Sequence, residues 1–311
     1  MRIPVWLLSV TLALCSSQLA ASSSSSESSF QLSPAPIPYP YFEAGTTDGK
    51  IDVSYVNLTF SEYTFNGLSI FGKGRKAFTE SFALDGMAGL MYLSGKLPGV
   101  GPLSPLPAYS ATGSFLGYYT PIPAKTANAT SVTVSFSGNA EVQVVRSPLF
   151  NAILFAGPSL NITSLTLKTL YNKYYAATGT TYTGFTDTLT TTIMLGGLQA
   201  GMQIDIPLGQ LVRVSPFFVV SSLSGSATMT DDPGTKTTDA YSASYEVPAS
   251  TTFSTGFDIF VNEISIGAMA QSGKSSQNGG NASYYQLTVG YRFSSKDTAA
   301  ETTKEEAQPA S

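Results

Sequence analysis

Few residues in this sequence are of the types that carry out catalysis or bind transition metals. The chain contains no histidine, and its single cysteine, Cys15, lies in an apolar N-terminal stretch. Hydrolytic triads usually need an imidazole base, and zinc and copper sites are built from histidine or thiolate ligands. We therefore expect a protein that is not an enzyme and has no metal site and no cofactor.

Two polar motifs could still suggest chemistry. Asp231 and Asp232 could form a carboxylate pair or bind Ca²⁺, but adjacent carboxylates in a turn are usually solvated. The stretch "GKGRK" at 72–76 lacks the spacing of a phosphate-binding loop, so we interpret it as a basic turn. Neither motif predicts an active site.

The strongest pattern is an alternation of apolar and polar residues between residues 50 and 293. In "SVTVSFSGNAEVQVV", Val132, Val134 and Phe136 occupy one parity, whereas Thr133 and Ser135 occupy the other. Successive side chains of a β-strand point to opposite faces, so each predicted strand has one apolar and one polar face. The pattern recurs in segments 198–206, 212–220, 253–261 and 264–271. It predicts an all-β fold.

Two predicted hairpins are consistent with one continuous sheet. A turn centred on Gly209 pairs Ile206 with Val212, and the short "VNEI" turn pairs Val261 with Ile264. In both hairpins the apolar faces lie on the same side, as a single sheet surface requires.

The polar faces carry charges of both signs. If they enclose an interior, these charges should pair, because an unpaired buried charge is costly. Asp205, for example, is expected opposite Arg213. We expect a polar network in the lumen that rigidifies the wall, with permeation or gating as the alternative. Its predicted members are Asp85, Asn139, Glu141, Gln143, Gln199, Gln203, Asp205, Arg213, Asp258 and Arg292.

Alternation alone fits two architectures, a soluble β-sandwich and a transmembrane barrel. Charged residues make up only 12 % of the chain, and the polar faces contain little of the lysine that usually protects exposed sheet edges. The predicted strands reach the ~9–11 residues that a tilted membrane strand needs, and short turns alternate with long polar loops. Tyrosines near strand ends suit the membrane interface, namely Tyr92, Tyr171, Tyr174, Tyr175, Tyr284 and Tyr285. These features favour the barrel.

The stretch "YYQLTVGYRF" near the end of the chain supports the same interpretation. Its bulky residues at every second position are Tyr285, Leu287, Val289, Tyr291 and Phe293. This pattern resembles the terminal strand of bacterial outer-membrane β-barrel proteins of the small OmpA-like or porin-like type. The resemblance implies an antiparallel transmembrane barrel with short periplasmic turns and long extracellular loops, located in the bacterial outer membrane. It also implies that the outer-membrane assembly machinery reads these residues, although residues 294–311 follow the terminal phenylalanine.

The chain divides into four predicted parts. Residues 1–21 read as a signal peptide, 22–47 as a Ser/Pro-rich flexible spacer, 48–293 as the barrel and 294–311 as a disordered charged tail. Nine strands are predicted, at 51–64, 76–92, 130–145, 151–167, 189–207, 211–227, 250–261, 263–271 and 283–293. A single-chain barrel needs an even number. We favour ten strands within a range of 8–12, with 110–120 as the tenth. The alternative is eight, with 51–64 outside the wall. Pro158 and Pro216 fall inside strands and predict bulges.

These observations predict an integral outer-membrane protein with a structural or surface-presenting role. The alternatives are a narrow channel for small solutes and a soluble secreted β-sandwich that acts as a binding module. The expected partners are membrane lipid and the assembly machinery. The net charge of −4 argues against nucleic acid, and no external ligand can be named.

Overall fold

The structure is a computed structural model that describes residues 37–60, 63–98, 106–109, 114–123, 126–175, 178–209, 211–232, 241–273 and 282–296. Regular secondary structure within these residues consists of twelve strands rich in β-branched and aromatic residues. They are β1 (Thr46–Phe60), β2 (Tyr63–Ala77), β3 (Phe82–Pro98), β4 (Leu106–Tyr109), β5 (Phe115–Pro123), β6 (Thr126–Arg146), β7 (Asn151–Tyr175), β8 (Thr180–Pro207), β9 (Val212–Asp232), β10 (Tyr241–Val261), β11 (Ile264–Gly273) and β12 (Ala282–Lys296). The predicted signal peptide, and the predicted tail beyond residue 296, lie outside the described residues.

Ten of the strands form a closed antiparallel barrel. The order around the wall is β1, β2, β3, β6, β7, β8, β9, β10, β11 and β12, and β12 pairs again with β1. The all-β antiparallel barrel with ten strands is confirmed. Because one sheet closes on itself, the soluble β-sandwich is excluded.

The tenth strand was predicted in the wrong place. It is β2, Tyr63–Ala77, and the predicted strand 51–64 ran across the junction between β1 and β2. The interpretation of "GKGRK" as a turn is also wrong, because these residues lie within β2 and pair with both β1 and β3. Gly72 and Gly74 take the outward positions where apolar residues were expected, and this hides the alternation in the sequence.

The segment 110–120 supplies no strand of the wall. Its described part belongs to β5, which pairs with β4 and with the far end of β7 at Tyr171–Tyr174. The two short strands therefore extend the sheet at the extracellular end of β7, past the point where β7 stops pairing with β6.

The side-chain orientation is the one predicted for a barrel in lipid. Outward residues such as Leu287 and Leu198 are 63 % and 67 % exposed, whereas Gln203 and Thr133 are 0 % and 1 % exposed. Within the described residues no helix is long and apolar enough to cross a bilayer. An apolar outer wall is stable only in apolar surroundings.

The register of one hairpin is confirmed and that of the other is wrong. Val261 pairs with Ile264 as expected. Ile206 pairs with Val214 instead of Val212, because the amide of Leu208 donates to the Val212 carbonyl at 2.8 Å and widens the turn.

The two prolines cause no bulges. Pro158 pairs with Leu198, and Pro216 pairs with Phe257, in continuous register. In an antiparallel ladder each residue bonds to one neighbouring strand only, so a missing N–H removes one hydrogen bond without displacing the strand. The register shifts in the wall occur between Gln143 and Val145, Tyr171 and Lys173, and Val247 and Ser250.

The two ends of the barrel differ. The end at which β1 begins and β12 ends has connections of two to four residues, at 78–81, 147–150, 208–211 and 262–263. We name it the periplasmic end. At the opposite, extracellular end, longer connections join β3 to β6, β9 to β10 and β11 to β12, and β7 and β8 extend to 25 and 28 residues. This asymmetry matches short periplasmic turns and long extracellular loops.

Charge placed on the outer wall tests the orientation. Leu90 lies outward within the apolar part of β3, and Ser94 lies on the same face nearer the extracellular end. Leu90→Arg should destabilise the protein in lipid vesicles by about 2–4 kcal/mol, because arginine then lies in hydrocarbon, and Ser94→Arg by about 0–1 kcal/mol. Denaturant titration of both variants measures the difference, and equal costs would contradict a lipid-facing wall.

Candidate functional site

The interior of the periplasmic half contains a compact cluster of four charged side chains. Lys50 Nζ lies 3.1 Å from Asp52 Oδ1 and 2.8 Å from Asp258 Oδ2, and Lys73 Nζ lies 2.5 Å from Asp52 Oδ2. All four side chains are 0–3 % exposed. Lys50 and Lys73 are directly opposite in the β1–β2 register, where like charges would repel. Asp52 contacts both ammonium groups and offsets this repulsion.

Two glycines make room for this cluster. Gly290 on β12 pairs with Asp52, and a Cβ at Gly290 would overlap Asp52 Oδ1 and Ser265 Oγ. A Cβ at Gly267 on β11 would overlap Asp258 Oδ1. The ion pairs therefore fit inside the barrel because the facing strands carry no side chain there.

Arg75 organises a second cluster beside the first. Its guanidinium lies 2.5 Å from Asp48 Oδ2 and 3.1 Å from Glu141 Oε2. It also donates to the backbone carbonyls of Tyr39 at 2.6 Å and Tyr41 at 2.8 Å. Arginine has five N–H donors in a rigid fork, and here they join two strands to the chain segment that precedes β1.

Residues 37–45, named the plug segment below, lie inside the barrel at the periplasmic end. They were expected to belong to a flexible spacer, but Ile37, Tyr39 and Phe42 are buried. The Phe42 amide donates to Gln143 Oε1 at 3.4 Å. The apolar side chains of the segment pack against the barrel interior, and this burial holds the segment in place.

The plug segment contacts strands on different sides of the wall. The Tyr39 ring packs edge-on against Phe260 of β10, with 5.0 Å between ring centroids, and the Arg292 guanidinium of β12 lies 3.5 Å from its centre. Arg213 of β9 lies 5.6 Å from the same ring. Burial raises the pKa of the Tyr39 phenol, so the ring stays neutral at physiological pH. The segment therefore reaches across the lumen.

A third charged group lies near the β8–β9 turn. Arg213 Nη1 and Asn151 Nδ2 each lie 2.7 Å from Asp205 Oδ2. Asp205 and Arg213 contact each other although their strands are in a different register from the one predicted, because a long arginine side chain reaches diagonally across a ladder.

The predicted network residues all have interior partners in the described part of the barrel. Asp85 accepts from Asn139 at 2.8 Å, and Gln199 donates to Asn139 at 2.8 Å. The remaining partners are Arg75 for Glu141, Phe42 for Gln143, Ser215 for Gln203, Arg213 for Asp205, Lys50 for Asp258 and Asp48 for Arg292. The predicted residues thus form several separate clusters. Most of these clusters also contain residues that were not predicted.

Five charged residues that hold these clusters together were not predicted. Asp48, Lys50 and Asp52 belong to β1, and their alternation with Ile51 and Val53 was a usable signal. Lys73 and Arg75 of β2 alternate with Gly72, Gly74 and Lys76. Because no apolar residues occupy these alternate positions, the sequence pattern did not identify a strand here. The missed residues are Asp48, Lys50, Asp52, Lys73 and Arg75.

The interior of the extracellular half contains packed apolar side chains together with uncharged polar ones such as Gln271 and Gln286. Inward residues of β8, β9 and β10 pack together there, including Leu195, Leu223 and Val247. Val56 of β1 and Leu93 of β3 belong to a larger apolar cluster. The ion pairs therefore lie towards the periplasmic end, whereas apolar and uncharged polar side chains lie towards the extracellular end.

The strand that resembles an assembly signal lies at the seam of the barrel. Its five bulky residues point outward and are 48–63 % exposed, namely Tyr285, Leu287, Val289, Tyr291 and Phe293. Phe293 is paired with Gly49 of β1, and its ring occupies the space where a Cβ of Gly49 would lie.

The tyrosines expected at the membrane interface do not all point outward. Tyr92 and Tyr285 do, but the expectation is wrong for Tyr284, which is 2 % exposed and donates to Gln286 Oε1 inside the barrel. The side chains of Asp231 and Asp232 lie outside the described set, and the backbone of both residues belongs to β9 rather than to a turn.

A groove of 620 Å³ on the outer wall lies beside this interior site. Its lining includes Gly72, Gly74 and Gly138, the rings of Phe136 and Phe293, and also Lys50 and Lys73 of the charged cluster. In the described part of the chain no group of three or more His, Cys, Asp or Glu side chains could hold a metal ion.

Comparison with known proteins adds little beyond the fold. No protein-family model matches the chain, and no curated protein does. Similar solved structures include the outer membrane protease OmpT from Escherichia coli, which is 9 % identical, with coverage of 80 % of this chain and 97 % of that chain and a TM-score of 0.47. The COG4313 outer membrane channel from Pseudomonas putida F1 is 11 % identical, with coverage of 85 % and 100 % and a TM-score of 0.36. OprG from Pseudomonas aeruginosa is 10 % identical, with coverage of 81 % and 98 % and a TM-score of 0.36. Because each of these TM-scores is below 0.5, they support no conclusion about function.

The barrel itself defines the class of protein. A closed antiparallel sheet with an apolar outer wall and a polar interior is the form in which β-strands cross membranes. The chain therefore has the fold of a transmembrane β-barrel.

The charge cluster can be tested by removing one carboxylate. Asp52→Asn keeps the shape of the side chain but leaves Lys73 without its ion-pair partner, so unfolding should require about 3–5 kcal/mol less free energy. Glu80→Gln is the control, because Glu80 pairs with Arg146 at the exposed rim and its loss should cost only about 0–1 kcal/mol. Urea denaturation in detergent measures both, and equal effects would contradict a buried, dry cluster.

Proposed function

We propose that this protein is a sealed, non-enzymatic outer-membrane barrel that anchors a structural or surface-presented platform built from its extracellular strands. The observation that carries the proposal is the filled interior. The plug segment, two ion clusters and packed apolar side chains together occupy the lumen. A ten-stranded barrel is only slightly wider than one that side chains fill, and open aqueous channels are found in barrels of about 16 strands or more.

The projecting strands support the presenting role. The outward apolar residues of β8 lie between Met194 and Ile206, so Thr180–Leu189 extends past the apolar band. Ten residues of strand correspond to roughly 33 Å of length. β5 pairs with the projecting part of β7, so the projection is a sheet of several strands rather than a loop.

The projecting sheet is aromatic and rich in threonine. Tyr182 and Tyr118 are more than half exposed, and Tyr175 packs edge-on against Tyr182 with 5.5 Å between ring centroids. Rigid tyrosines in a polar surface provide contact area at low entropic cost. This surface is suited to recognition of a partner.

Epitope insertion tests the orientation and the presentation of the platform. A tag inserted between Thr178 and Gly179, at the β7–β8 turn, should be labelled by antibody on intact cells. A matched tag between Leu208 and Gly209, at the β8–β9 turn, should be labelled only after the outer membrane is permeabilised. The reverse result would place the platform in the periplasm and reject the presenting role.

Conductance distinguishes this function from a narrow solute channel. The purified barrel should give no stepwise current above background in a planar bilayer. Buried ion pairs block the lumen, so ions have no aqueous path through it. A large porin inserted under the same conditions serves as the control for membrane quality. Reproducible single-channel steps from the protein would favour the channel and reject the seal.

A further inference from the structure

Two lysines and an asparagine form one row on the outer face of the wall. Lys96 of β3 pairs with Asn128 of β6, and Asn128 pairs with Lys168 of β7. All three side chains are exposed. Directly paired residues of a sheet point to the same face, so the three polar groups lie side by side on the outside of the barrel.

The row lies just above the apolar band at the extracellular end. The next row towards the periplasm is Ser94, Thr130 and Thr166, and the one below it contains Tyr92 and Val132. Aromatic rings such as Tyr92 mark the membrane interface. The lysines therefore lie at the height of lipid headgroups in the outer leaflet.

The placement of these two lysines differs from that of the other cations. The other cations of the described residues lie elsewhere. Those inside the barrel are Lys50, Lys73, Arg75, Arg213 and Arg292, those at the periplasmic end are Lys76, Arg146 and Lys296, and Lys173 is buried in the projecting sheet, where it pairs with Pro121 of β5. Within the same residues, no ion pair is found to Lys96 or Lys168. The nearest carboxylate position in the row is Asp232, which pairs with Thr188 two strands beyond Lys168.

We infer that Lys96, Asn128 and Lys168 bind the phosphate of an anionic lipid headgroup in the outer leaflet. Neighbouring strands are ~4.8 Å apart, so the lysine Cα atoms are separated by roughly 10 Å. Flexible lysine side chains can both reach a phosphate placed over Asn128, whose amide can donate a third hydrogen bond. The apolar rows below accept the acyl chains. This inference rests on the membrane orientation proposed above.

The test is lipid binding to the purified full barrel in neutral detergent, counted by native mass spectrometry. The probes are phosphatidylglycerol, phosphatidylcholine with the same acyl chains, and inorganic phosphate as a competitor. Each lysine should contribute about fivefold to affinity for the anionic lipid. The double variant Lys96→Gln/Lys168→Gln should therefore bind phosphatidylglycerol roughly 25-fold more weakly, with phosphatidylcholine binding unchanged.

Two matched variants separate this site from general charge. Lys76→Gln removes an outer cation at the periplasmic end and should bind like the wild type, and Lys96→Arg/Lys168→Arg should retain anionic-lipid binding. Unaltered binding by the double glutamine variant, or an equal loss with Lys76→Gln, would overturn the inference. So would full competition by inorganic phosphate, which would indicate a site for the free ion. Epitope labelling of the β7–β8 turn tests the orientation independently, so failure of one proposal is distinguishable from failure of the other.

Discussion

The structure depends on one constraint: a β-sheet in hydrocarbon has no water to satisfy its edges or its charges. Closing β12 against β1 removes the edges, and turning the polar parity inward removes the charges from lipid. Every carboxylate and ammonium group placed inside must then find a partner within a narrow space. The paired clusters around Asp52 and Arg75 are the direct consequence.

That narrow space explains features that would otherwise look unrelated. Gly267 and Gly290 have no side chains where Asp258 and Asp52 need room. The neighbouring carboxylates do not use all the N–H donors of Arg75. Arg75 also donates to two backbone carbonyls of the plug segment. The plug segment thereby becomes part of the interior. In the function that we propose, the same filling also closes the lumen, and the projecting strands are the part of the protein that is available to partners.

The sequence predicted the features that follow from period-two alternation and failed where alternation was masked. Strands such as β6, with valine and phenylalanine opposite serine and threonine, were identifiable because both faces carried typical residues. β2 was not, because glycines at 72 and 74 replaced the apolar face, and the two inward cations Lys73 and Arg75 were lost with it. Interior polar residues such as Glu141 and Asp258 were predicted, but the charged residues of β1 and β2 that pair with them were not. The burial of residues 37–45 had no periodic signal at all, since an irregular segment is held by individual contacts with Arg75, Gln143 and Arg292.

The most direct test of the account uses two neighbouring phenylalanines of β9. Phe218 points outward and is 43 % exposed, whereas Phe217 points inward and is 4 % exposed. The only tryptophan in the sequence is Trp6, so in a background without it a single tryptophan at either position reports its own surroundings. In vesicles of lipid brominated on the acyl chains, the fluorescence of Phe218→Trp should be strongly quenched and that of Phe217→Trp should not. Equal quenching, or quenching of the inward position alone, would contradict the orientation on which the barrel, its seal and its lipid contacts depend.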